Sequence, residues 1–99
     1  MSTEPSAQVA PQTVLIIDDE PTGRVPLAAR LKRLGYRVLQ ADDGQAGLDM
    51  LRCERPDLTI LDWMMPEMDG PSFCEVVRQD PALQSSQILM MTSNDQPEQ

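Results

Sequence analysis

Four polar residues close short apolar runs: Asp18 and Asp19 follow Val14-Leu15-Ile16-Ile17, Asp62 follows Leu58-Thr59-Ile60-Leu61, and Thr92 follows Ile88-Leu89-Met90-Met91. Such runs read as strands, and the continuous Val14–Ile17 run as one buried on both faces. In an open parallel sheet the carboxyl ends of the strands share one crevice. Three chain segments would therefore bring three carboxylates and one hydroxyl to a single edge. Carboxylates gathered this way repel one another unless a hard cation lies among them, and Mg2+ takes oxygen ligands while keeping several waters. A carboxylate beside Mg2+ can also attack phosphorus, because the metal offsets charge on the incoming phosphoryl oxygens. A nearby hydroxyl, here that of Thr92, can hydrogen-bond one of them.

Each residue also has a plainer reading. Asp18 and Asp19 could cap the helix that follows them, whose amino end attracts negative charge. Thr92 could be an ordinary strand-end hydroxyl, and Pro66 and Asp69-Gly70 simple turn formers. Asp62 is harder to set aside, because Trp63-Met64-Met65-Pro66 offers no helix start for it to cap.

The elements that would position these residues follow from spacing. After Glu20-Pro21, Leu27, Ala28, Leu31 and Leu34 recur at helical period, Pro21 suits the first turn, and Gly35 stands where a helix ends. Pro26 removes one backbone donor, so it either kinks this helix or delays its start. Tyr36 to Ala41 reads as a more polar strand at the sheet edge. Asp42-Asp43 then cap a helix carrying Ala46, Leu48 and Leu51, which stops at Arg55-Pro56 because a residue before proline avoids helical geometry. A third helix shows Phe73, Val76 and Val77 on one face. Strands and helices alternate through connections that permit only right-handed parallel crossovers. Structure is expected over residues 13–93, with polar tails at 1–12 and 94–99 expected to be disordered.

Composition narrows the function further. The formal charge is -8 with no His, which argues against a nucleic-acid surface and toward cations or basic partners. With one Trp, one Tyr and one Phe, the core must be aliphatic, and seven Met make it partly soft. Cys53 and Cys74 lack metal-like spacing and read as buried reduced thiols. The amino end lacks signal-peptide character and no run approaches a membrane span, so the expected location is cytoplasmic.

Three segments together resemble the receiver domains of two-component response regulators: Val14-Leu15-Ile16-Ile17-Asp18-Asp19-Glu20-Pro21, Leu61-Asp62-Trp63-Met64-Met65-Pro66-Glu67-Met68-Asp69-Gly70, and Met90-Met91-Thr92-Ser93. The second is the most specific. The resemblance implies a flavodoxin-like doubly wound parallel sheet. It also implies that Asp62 accepts phosphate from the phosphohistidine of a histidine kinase or phosphotransfer protein, and that Asp18 and Asp19 hold Mg2+ with Asp62 and the Met64 carbonyl. Thr92 would reorient toward the phosphoryl group. The family continues with a fourth helix, a fifth strand ending in a phosphate-pairing lysine, and a fifth helix, and the 99 residues do not extend that far. Strand order 2-1-3-4 is therefore expected, leaving the fourth strand as an apolar edge open to self-association. The only lysine is Lys32, in the first helix. Three functions compete: a phosphoacceptor, which is not itself an enzyme; a non-catalytic interaction module; and, least well supported, an aspartate-nucleophile hydrolase. The hydrolase would want a second acid two residues beyond Asp62, where Met64 stands.

Overall fold

The computed structural model describes residues 12–65 and 67–91. Thr92, Pro66, the 94–99 tail and all of the amino-terminal tail but Gln12 lie outside that range. The element order is β1 (Thr13–Ile17), α1 (Pro21–Arg33), β2 (Arg37–Ala41), α2 (Gly44–Glu54), β3 (Leu58–Asp62), α3 (Gly70–Gln79) and β4 (Ile88–Met91). The four strands are parallel and ordered β2-β1-β3-β4, the expected arrangement. β1 pairs on both sides, so every one of its residues is buried, whereas edge strand β2 is buried only at Ala41.

Period-two alternation divides the core between the two faces of the sheet. Leu15, Ile17 and Leu61 meet α2 and α3 through Leu48, Leu51, Phe73 and Val77. Val14, Ile16 and Ile60 meet α1, which contributes only Ala28 as a fully buried residue, with Leu27 and Leu31 partly covered. Leu34 departs from the helical-face reading: it is the C-cap of α1, past the last turn, and is 69% exposed. Pro26 does not delay α1, which begins at Pro21 and runs through it. Gly35 follows the C-cap at φ 100°, a backbone geometry that favours glycine. α2 lies so close to β1 that a Cβ at Gly47 would collide with the Ile17 side chain.

Neither cysteine is fully buried: Cys53 points outward from α2, and Cys74 on α3 is half-buried. Burial raises the Cys74 thiol pKa, and neighbouring Arg78 partly offsets that rise. Leu83, in the turn after α3, fills the α2/α3 core at 1% exposure, which no periodic pattern announces.

Candidate functional site

Parallel pairing carries β1 and β3 side by side, with Ile17 opposite Leu61, so the residues that follow meet at one edge. Asp18 and Asp62 are buried there and Asp19 is half-buried. Carboxylate oxygens from all three lie within 4.8 Å of one another. The convergence expected from the sequence is thus present for Asp18, Asp19 and Asp62.

The local chain explains why Asp18 faces this edge and does not cap α1. Its N–H donates to the Ala41 carbonyl at 3.1 Å, continuing the β1–β2 ladder by one residue. Its Oδ1 accepts the Glu20 N–H at 2.9 Å, which closes a tight turn before the helix. The N-cap of α1 is Glu20, without a side-chain bond, and Pro21 at the helix start has no N–H to satisfy. Gly23 makes room for the carboxylate: a Cβ there would stand 3.2 Å from Asp18 Oδ2.

Asp42-Asp43, by contrast, behaves as the sequence suggests. Asp43 accepts the Ala46 N–H at 2.7 Å and caps α2, while Arg55 ends that helix in a left-handed conformation. Asp69 is more than a turn former: it caps α3 by accepting the Ser72 N–H at 2.9 Å. An aspartate placed just before Gly70-Pro71 and an apolar helical face was the available signal.

Electrostatically the site is loaded. Burial raises the Asp18 pKa most, the Glu20 N–H works against that, and the charges of Asp62, Asp19 and Glu20 raise it further. Asp62, at 2% exposure, has an Oδ1 with no hydrogen-bond partner among the described residues. A buried carboxyl oxygen without a partner among the described residues, next to two other carboxyl groups, is costly unless a cation joins it. Three hard oxygen donors in this arrangement fit Mg2+. The Met64 thioether is a soft donor unsuited to a hard cation, so any contribution from this exposed residue to Mg2+ would come through its backbone carbonyl. Met91, register partner of Asp62, is the last described residue before Thr92.

Two residues near the site had no signal in the sequence. Arg24 of α1 donates through Nη1 to the Asp18 carbonyl at 2.8 Å and through Nε to Gln40 Oε1 at 3.1 Å. A separate hollow of about 350 Å3 lies between the Asp42–Gln45 turn and Met65, Glu67 and Met68, and none of the three clustered acids lines it.

A doubly wound parallel sheet with an acidic cluster at the carboxyl ends of β1 and β3 defines a flavodoxin-like α/β module with a cation-ready edge. The chain belongs to the response regulator receiver domain family, whose model matches residues 14–99. It is 42% identical over 82 residues to the probable transcriptional regulator ycf27 of Guillardia theta, an alignment covering 83% of this chain and 31% of that relative. The chain thus spans about a third of the length of that relative. Among solved structures it resembles the Vibrio cholerae chemotaxis protein CheY4, with a TM-score of 0.80 and 34% identity over 89% of this chain and 73% of that one. It also resembles the response regulator TrrA of Thermotoga maritima, solved in complex with Mg2+-BeF, with a TM-score of 0.76 and 29% identity over 84% of this chain and 70% of that one. No helix among the described residues is long and apolar enough to cross a membrane.

Proposed function

We propose that this receiver acts in the cytoplasm as a phosphoacceptor. Asp62 takes a phosphoryl group from the phosphohistidine of a histidine kinase or phosphotransfer protein. The carrying observation is the buried Asp62, whose Oδ1 has no hydrogen-bond partner among the described residues and whose carboxylate lies with those of Asp18 and Asp19, one oxygen of each within 4.8 Å of the others. An Asp62 carboxylate oxygen bonds to phosphorus as the P–N bond breaks. The imidazole nitrogen keeps the bond's electron pair and takes a proton, and the product is an acyl phosphate. Asp18, Asp19, Asp62 and the Met64 carbonyl would hold Mg2+, which when bound would supply charge compensation for the phosphoryl oxygens; the similar TrrA was solved in complex with Mg2+-BeF. The Thr92 hydroxyl accompanies one phosphoryl oxygen. Asp62 is an acceptor that ends the transfer, not a centre of turnover.

Incubation of the full chain with Mg2+ and acetyl phosphate, read by intact mass with circular dichroism to verify folding, tests this. A single phosphoryl adduct on the parent and none on Asp62→Asn is expected. A folded parent without an adduct would favour the second reading, a non-catalytic interaction module. Leu89 and Met90 on β4 are exposed, and we infer that this strand can pair with a second copy; a concentration-independent monomer in sedimentation velocity would oppose that.

A further inference from the structure

The Asp18 carbonyl lies beyond the last regular residue of β1, where the chain turns toward α1. A carbonyl at a partly buried strand end needs a donor, and here the donor is the Arg24 guanidinium, at 2.8 Å. The same guanidinium donates through Nε to Gln40 Oε1 on β2, so its planar fork spans α1, the end of β1 and the edge strand. This carbonyl belongs to the Asp18-Asp19 peptide plane, and holding one end of a planar unit fixes the direction in which Asp19 leaves it. Asp19 needs that help. Among the described residues its carboxylate accepts no hydrogen bond, yet it lies with those of Asp18 and Asp62. Arg24, moreover, forms no ion pair with any described carboxylate. Its contact is with the backbone that carries the acids.

We propose that Arg24 is a positioning residue of the acidic site, which, braced by Gln40, sets the Asp18-Asp19 peptide so that both carboxylates meet Asp62 around a divalent cation. The inference rests on the magnesium reading above. It makes the geometry of the guanidinium fork, and not its charge, the property that matters. An ammonium at this position keeps the charge but cannot reach the carbonyl and Gln40 in the same fixed geometry. Loss of an outer partner that orients metal ligands typically weakens metal binding by about 10- to 100-fold.

The test titrates the full chain with Mg2+, following fluorescence of its single tryptophan, Trp63, which adjoins Asp62, and measures Tm in EDTA. Arg24→Lys and Arg24→Ala should each raise the Mg2+ Kd by about tenfold. Gln40→Met, which keeps the guanidinium and removes its brace, should cause a smaller loss in the same direction. In an Asp19→Asn background the Arg24→Lys loss should shrink, because the two act through one peptide plane. Parent-like affinity in Arg24→Lys overturns the proposal, as does a lowered Tm with unchanged Mg2+ affinity, which marks a merely structural arginine. Should Arg24→Ala not fold, Arg24→Lys and Gln40→Met decide. A parent chain with no Mg2+ response overturns the magnesium reading itself, an outcome distinct from either result on Arg24.

Discussion

Two acidic pairs occupy equivalent places in the chain, Asp18-Asp19 between β1 and α1 and Asp42-Asp43 between β2 and α2, yet the fold uses them differently. Asp43 accepts the Ala46 N–H and caps its helix, while Asp18 turns its carboxylate back toward the sheet and leaves α1 without a side-chain cap. The difference is topological. β1 lies between β2 and β3, so its carboxyl end adjoins Asp62; β2 is an edge strand, and Asp42 and Asp43 are exposed. The helix starts differ as well: Pro21 fills the first position of α1, and the Glu20 carbonyl, not a side chain, accepts the Gly23 and Arg24 N–H groups. An aspartate at a strand end thus becomes chemistry or capping according to what the neighbouring strand delivers.

The largest effects should divide the two loops cleanly. Asp62→Asn should abolish the phosphoryl adduct seen by intact mass, and Asp43→Ala should leave it in place. A folded Asp43→Ala chain that cannot be phosphorylated would erase the distinction. Next in size, Asp18→Asn or Asp19→Asn should each raise the Mg2+ Kd by at least about tenfold, since losing a direct ligand should cost no less than losing an outer partner. Asp43→Ala should not change it. Calorimetric titration of the full chain measures both.

Stability should show the reverse order. Removing the Asp43 cap should cost about 1 kcal/mol, and Asp43→Ser or Asp43→Asn should restore most of it, because either side chain can accept the same N–H. Urea melts of the metal-free chain measure this directly. An Asp43→Ala chain as stable as the parent would mean that water replaces the cap, and the β2–α2 loop would then lack the structural role its geometry suggests.

Most of the sheet is legible in the sequence because β1 and β3 are short apolar runs that end in acids, and β2 betrays its edge position through Arg37 and Gln40. The acidic cluster is legible for the same reason: once the strand order is known, Asp18, Asp19 and Asp62 must share an edge. What escapes is whatever depends on distant partners. Nothing around Arg24 or Gln40 marks them as hydrogen-bonded to each other across 16 positions, and Leu83 fills the core from a turn without any period to reveal it. Cys53 and Leu34 mislead in the opposite direction. Each is apolar in type, but one faces outward from α2 and the other follows the last turn of α1, and position outweighs residue type.

The smallest effect is one of slope, and it concerns Asp18 and Asp69, whose pKa values move in opposite directions. Burial, with repulsion from Asp62, Asp19 and Glu20, raises the folded-state pKa of Asp18 above its ordinary value of 3.8, whereas the Ser72 backbone N–H and then its side chain lower that of Asp69. A carboxyl with a raised folded pKa binds its proton more tightly in the folded chain. Its ionisation therefore costs stability above that pKa, and the cost disappears as pH falls through it. In EDTA, Asp18→Asn should raise Tm at neutral pH, with an advantage that shrinks as pH approaches the ordinary carboxylate range. Asp69 has the opposite sign: its contribution is present at neutral pH and lost on acidification, so the Tm deficit of Asp69→Ala should narrow over acidic pH. Saturating Mg2+ should reverse the first comparison only, because the metal binds the ionised Asp18 and stabilises the parent by mass action. Thermal melts of the parent and both variants across pH, with and without Mg2+, measure all of this. If Mg2+ left the Asp18→Asn advantage at neutral pH intact, the cation would not be engaging Asp18, and the β1–α1 acids would lose their distinction from those of β2–α2.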